Sequence, residues 1–258
     1  MGTCRYRRPV RPPILDFDPN RDAIIDPIAP DVRVPERGVL TWFTDVVDGL
    51  EDAELVHTIR LESAVHRVFV VDREGTEFVV AEMGVGAPIS AAVLETVIAM
   101  GCTKLVAVGS SGGLVAGATP GTVVVPTEAI RDEGTSYHYL PAEKPARPSE
   151  AAVDAIVGVL RQRGVVHSRA RSWTTDAFYR ETAAKLRQRT AQGCVCVDME
   201  AAALFAVAEF RGADIAQILY VADTLTGGEW DGEGLVTPLT ATRKRMFELA
   251  VESVLAIP

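Results

Sequence analysis

Apolar positions along the chain recur in short blocks that alternate between two periods. Arg67–Asp72 and Glu77–Met83 are β-branched or apolar runs on either side of Arg73-Glu74-Gly75-Thr76, a pattern that predicts a hairpin. From Pro88 to Met100 the period changes: Ala91, Leu94, Val97 and Ile98 fall at helical spacing, a proline stands in the first turn and Gly101 follows the end. Leu105–Gly109 is apolar throughout, as strands covered on both faces are. Thr122–Val125 reads as a further short strand.

The same alternation continues to the end of the chain. It predicts a helix at Ser149–Arg163, a strand at Val165–Ser172, a helix at Glu181–Gln192 and a strand at Cys194–Val197. A helix at Glu200–Arg211, a strand at Ile215–Ala222 and a closing helix over Pro238–Leu255 complete the series. Strands alternating with helices imply an α/β fold: a single domain of three layers, α/β/α, around a mainly parallel, mixed central sheet. Residues 1–34 are rich in Pro, Asp and Arg without a sustained period, so they read as a partly flexible arm ahead of a domain spanning 35–258.

Composition narrows the class of partner. The chain has 258 residues, 48% of them apolar and 24% charged, which suits a globular protein with one sizeable core. Its formal charge of −9 argues against nucleic acid and anionic membranes as partners, and any anionic substrate then needs a local cluster of donors. No apolar run has the length of a membrane span, and the basic start lacks the apolar core of a secretory signal. The four cysteines include one close pair, Cys194 and Cys196, without a second pair at metal spacing, so a reducing cytoplasm and no bound metal are expected.

In open α/β sheets ligands gather at the carboxyl ends of the strands, and chemistry-bearing residues cluster there. Gly84-Val85-Gly86-Ala87-Pro88 and Gly109-Ser110-Ser111-Gly112-Gly113 are two glycine-rich turns able to bring backbone N–H groups and hydroxyls onto an anion or a sugar. The dinucleotide fingerprint fails at Ile89, where it needs a third glycine. The Gly109-x-Ser111-x-Gly113 match to a hydrolase elbow fails too, because the following residues break a helix and no histidine comes after His167. Asp198-Met199-Glu200 lies at a strand-to-helix junction, where a carboxylate serves either a substrate or the helix N-terminus. Asp223 ends a strand before the Gly-rich loop 224–234, which carries Trp230. There it is either a general acid with a pKa raised by desolvation or a capping residue.

Together with Arg131–Tyr139, Thr175–Tyr179 and Ala222-Asp223, these segments resemble, in order, the nucleoside phosphorylase superfamily of uridine and purine nucleoside phosphorylases and related nucleosidases. The resemblance implies phosphorolysis of a nucleoside N-glycosidic bond to a free base and pentose-1-phosphate, with inorganic phosphate as co-substrate and no other cofactor. It implies catalytic roles for Asp223, as acid to the leaving base, and for Glu200, as acceptor for the ribose hydroxyls. Phe178 stacks on the base in this reading, Met199 lines the sugar, and Ser111, Gly112 and His138 complete the nucleoside site. Phosphate falls to Arg37, Ser110, Gly86 and Arg60, the last from a neighbouring subunit of a homo-oligomer built from dimers, up to a hexamer.

The chain departs from the family pattern in several places. Arg33 and Val34 replace the Gly-Asp that precedes Pro35-Glu36-Arg37, and Ala107 stands where a second arginine is expected. Thr182 and Ala184 replace a pyrimidine-holding Gln and Arg, which favours a purine base. The departures at the phosphate leave two alternatives open: a hydrolytic nucleosidase, and a catalytically silent nucleoside-binding protein.

Overall fold

The computed structural model describes residues 11–27, 31–62, 64–232 and 239–258. The basic residues Arg5, Arg7 and Arg8, Glu233 and Gly234 of the loop, and Pro238 at the expected helix start lie outside them. Nine strands run β1 Arg37–Thr41, β2 Ala53–Leu61, β3 Ala64–Arg73, β4 Thr76–Glu82, β5 Lys104–Gly113, β6 Val123–Asp132, β7 His167–Thr175, β8 Cys194–Asp198 and β9 Asp214–Thr224. The helices are α1 Thr44–Val47, α2 Ala87–Ala99, α3 Glu150–Gln162, α4 Ala183–Ala191, α5 Ala201–Arg211 and α6 Thr240–Leu255.

The sheet order is β2-β3-β4-β1-β5-β8-β7-β6-β9, and β9 also pairs with β5, so five strands close a circuit from which the other four extend. β5 has three neighbours because the edge that pairs with β1 as far as Val108 turns to β8 at its end. It runs parallel to β9 along its length, with a register shift between Ser111 and Gly112, while Gly112 and Gly113 pair antiparallel with Val197 and Cys196 of β8. Glycine is required at this bend. A Cβ on Gly113 would stand 2.1 Å from the Ala118 carbonyl oxygen, inside any tolerable contact.

Alternate residues of the central strands enter opposite cores, the packing of strands covered on both faces. Leu105 and Ala107 of β5 join a cluster with Leu94 of α2 and Leu204 and Phe205 of α5, whereas Val106 and Val108 join Ile156 of α3 and Phe247 of α6. Helices therefore cover both sides of the sheet, the three-layer α/β/α arrangement expected from the alternating pattern.

Element boundaries differ from expectation where turn chemistry overrides periodicity. β1, α1 and β2 lie in a stretch with no clear period, and β2 is a solvent-facing edge strand with Leu55 and Leu61 exposed. α4 begins at Ala183 because the Thr182 hydroxyl accepts the Lys185 backbone N–H as its N-cap. That cap leaves Phe178–Arg180 as a 3-10 turn and puts Glu181 outside the helix. The segment before β1 lies against the domain: the Arg211 guanidinium donates to the Arg21 carbonyl, and Arg33 donates to that of Ala99.

Candidate active site

β1, β5 and β9 run parallel, and their carboxyl ends, with those of β7 and β8, surround a cavity of about 620 Å³. That volume suits a ligand of nucleoside size. Its walls come from Trp42 after β1, the Gly109–Gly112 end of β5, Phe178 and Tyr179 of the 3-10 turn, Glu181, Val197–Glu200 between β8 and α5, and Gln217, Asp223, Leu225 and Trp230 on and after β9.

The Asp198-Met199-Glu200 segment divides its labour. Asp198 caps α5: its Oδ2 accepts the backbone N–H groups of Glu200 and Ala201 at 2.9 and 2.5 Å, and its Oδ1 accepts the Thr174 hydroxyl at 3.0 Å. Glu200 is not used in this way. Its Oε1 accepts the Gly86 N–H at 2.6 Å, the residue is 8% exposed, and no cation pairs with it among the described residues. Burial, with the charge of Asp198 second, pushes its pKa up to about 8.

Asp223 stands across the cavity. Its Oδ2 accepts the Trp230 indole N–H at 2.8 Å, and burial raises its pKa against that hydrogen bond. Glu181 faces the same space. Its pKa is pushed up to about 7 by burial and then by the charge of Asp223. Burial raises both carboxyls, and a raised pKa suits an acid that must hold a proton. Phe178 and Tyr179, half and nearly fully exposed, present ring surface at the mouth.

Of the residues proposed from sequence, Asp223, Glu200, Ser110, Ser111, Gly112, Phe178 and Met199 share this cavity. Four do not line it. Arg37 opens β1 opposite Lys104, at the amino end of the sheet, about six residues along β5 from Ser110 and so roughly 20 Å away. Its guanidinium donates to the Ile257 carbonyl and pairs with Glu36, so Arg37 is a fastening for the C-terminal segment and not a phosphate ligand of this cavity. The Gly86 N–H already serves Glu200 rather than an anion. Arg60 is exposed on the edge strand β2, and His138 is exposed at the end of the 3-10 turn Thr135–His138.

Sequence reasoning passed over Trp42, Glu181 and Gln217. Trp42 follows the end of a strand that the pattern did not reveal, and its indole N–H donates to the Gly84 carbonyl while its ring lies over Gly109. Glu181 read as the first residue of a helix. Gln217 was hidden inside an apolar strand, although a lone amide in such a run is itself a signal of a polar neighbour.

Residues 43–256 match the model of the phosphorylase superfamily, and the chain belongs to that family. It is 27% identical over 206 residues to the guanosine phosphorylase of Halorubrum lacusprofundi, an alignment covering 80% of this chain and 84% of that protein. To the uridine phosphorylase of Treponema pallidum it is 31% identical over 182 residues, covering 66% and 69%. Among solved structures, uridine phosphorylase from Vibrio fischeri superposes with a TM-score of 0.74 at 24% identity, covering 90% of this chain and 96% of that one. Purine nucleoside phosphorylase from Toxoplasma gondii gives 0.72 at 20% identity, covering 88% and 91%. These superpositions show that the closed mixed sheet is the shared fold. No helix among the described residues is long and apolar enough to cross a membrane.

Proposed function

We propose that the chain is a nucleoside phosphorylase, a pentosyltransferase that moves the pentose of a nucleoside from its base to inorganic phosphate. The observation that carries this reading is the meeting, in one cavity at the strand ends, of a buried acceptor without a cation among the described residues, Glu200, an acid whose pKa burial raises, Asp223, and the ring of Phe178. A phosphate oxygen forms a bond to C1′ as the C1′–N bond breaks. The electron pair passes to the base nitrogen, and the base takes a proton from Asp223. The transition state carries positive charge on the sugar, and Glu200, ionised on accepting the ribose hydroxyls, stabilises it.

Ser110, at the end of β5, is among the groups lining the cavity that offer a donor to phosphate. A purine base suits Asp223 as the proton donor and the absence of a Gln and Arg at Thr182 and Ala184. The reading calls for no metal and no organic cofactor. It is accompanied by a homo-oligomer built from dimers: Leu55, Leu61 and Val65 are exposed on the β2–β3 hairpin beside Arg60, a surface that a second copy would cover. A reducing cytoplasm agrees with Cys102, Cys194 and Cys196, which are buried and unlinked.

One observation favours hydrolysis as a second reading: no Arg, Lys or His is among the described residues lining the cavity, whereas four carboxylates are. Water needs no cation. Incubating the protein with inosine, with and without phosphate, separates the two readings. Phosphorolysis gives base and pentose-1-phosphate in equal amounts only with phosphate present; base release undiminished in phosphate-free buffer replaces it with hydrolysis. Turnover lost in Asp223→Ala removes the third reading, a silent nucleoside binder.

A further inference from the structure

Glu181 lines the cavity beside Phe178 and Tyr179, whose ring centroids stand 4.2 Å apart, and among the described residues no donor or cation is bonded to its carboxyl. The residue is partly exposed and forms cavity wall, so a ligand there can reach it. Two structural duties that would occupy it are taken by neighbours. The N-cap of α4 is the Thr182 hydroxyl, and Lys185, the cation whose charge Glu181 feels, is held at 3.0 Å by Asp132. The same Asp132 oxygen accepts from Arg189 and from the Trp173 indole, each at 3.0 Å, so α4 is fastened by groups other than Glu181. A carboxyl half withdrawn from water and left without donors marks a place where a ligand supplies them. Asp223 is near enough for its charge to act on Glu181, and the two border one space. A purine takes the proton on its five-membered ring and carries its edge groups on the six-membered ring. One base stacked on Phe178 can therefore serve both carboxyls.

We propose that Glu181 selects the base, its ionised carboxylate accepting two adjacent donors on the six-membered edge of a purine, the ring N1–H and the exocyclic 2-amino group. This rests on the reading above that the cavity cleaves a nucleoside, and it narrows the substrate to 2-amino-6-oxopurine nucleosides such as guanosine. An ionised carboxylate only accepts, and two parallel charge-assisted bonds to neighbouring N–H groups match its two oxygens. Inosine offers the N1–H alone and makes one of the two. Adenosine places an unprotonated ring nitrogen where the carboxylate needs a donor, so lone pair meets lone pair.

The test is base release from guanosine, inosine and adenosine by wild type, Glu181→Gln and Glu181→Ala. It is followed by chromatography at pH 8, above the value of about 7 to which burial pushes the Glu181 pKa, with saturating phosphate and again without it. Thermal melting of each protein runs alongside. Wild type is expected to prefer guanosine to adenosine by about 100-fold or more in kcat/KM, with inosine between them. In Glu181→Gln the amide nitrogen donates to adenine N1 and the amide oxygen accepts from the 6-amino group. The guanosine rate should then fall and the adenosine rate rise, lowering the ratio about 100-fold. A gain on adenosine is a result that loss of folding cannot give. Glu181→Ala, which removes both interactions, should bring the ratio to about one and serves if the Gln variant melts early. A wild-type ratio of about one, or a ratio unmoved by both substitutions, overturns the inference and leaves the phosphorylase reading standing. Base release that ignores phosphate but keeps the expected ratios removes phosphorolysis and upholds base selection by Glu181. Wild type that releases no base from any of the three removes both.

Discussion

Replacing Glu200 by Gln removes a charge while keeping shape, and the structure sets the size of the effect. The residue is 8% exposed, its carboxyl accepts the Gly86 backbone N–H, and burial moves its pKa from 4.5 to about 8. At about 1.4 kcal/mol per pH unit, that displacement is worth roughly 5 kcal/mol of preference for the neutral form in the folded protein. Because the folded pKa lies above the unfolded one, the stabilising contribution is complete below about pH 4.5 and is lost as pH rises toward 8. The amide of the variant has no such proton to lose. Urea denaturation of wild type and Glu200→Gln at pH 5 and pH 8 should therefore show the variant gaining on the order of 4 kcal/mol relative to wild type across that interval. The same variant should lose about 100-fold or more in kcat/KM, since an amide accepts the sugar hydroxyls without charge. A stability difference that is flat with pH would refute the idea that an unpaired carboxyl is held ready for the sugar. Binding gives a companion signature: donors from the ribose hydroxyls favour the ionised form, so nucleoside binding near pH 7 should release protons, visible by calorimetry in buffers of different ionisation enthalpy.

Three other substitutions probe separate parts of the site. Asp223→Asn should cost on the order of 100- to 10,000-fold in kcat with little change in nucleoside KM, measured as base release at saturating substrate, and a loss below tenfold would remove Asp223 as the acid. In Trp230→Phe, loss of the indole N–H that lowers the pKa of Asp223 should let it hold its proton to higher pH, so the alkaline limb of the kcat profile moves up; an unmoved limb would show that this hydrogen bond does not set the acid's proton affinity. Arg37→Met should leave phosphate KM within about twofold of wild type while lowering thermal stability by about 1 kcal/mol through loss of the contact with the Ile257 carbonyl, and a large rise in phosphate KM would contradict its place at the far end of the sheet.

The alternating periods revealed most of the layered fold because strands such as β5 and β9 are largely apolar on both faces and helices such as α3, α4 and α5 are bounded by a capping hydroxyl or a glycine. The closure of five strands into a circuit left no mark in periodicity. It depends on the bend at Gly112–Gly113, where backbone crowding, not hydrophobic pattern, excludes a side chain. Within the site, Glu200 and Asp223 were legible because strand-end carboxylates in a hydrophobic context are costly and conspicuous. Arg37 misled because Pro-x-Arg is a short motif, and register alone reveals which end of a strand it occupies. Glu181 was masked by a helix whose true start is fixed by the Thr182 cap, and Gln217 by the apolar run around it.

The central claim is that this cavity transfers a pentose to phosphate although no cation among the described residues lines it. Reaction of inosine followed by phosphorus NMR tests this directly, by counting pentose-1-phosphate against free base as phosphate is varied. The account predicts equimolar products and a rate that saturates in phosphate and vanishes without it. Free base formed at the same rate in the absence of phosphate, with no sugar phosphate signal, would contradict it.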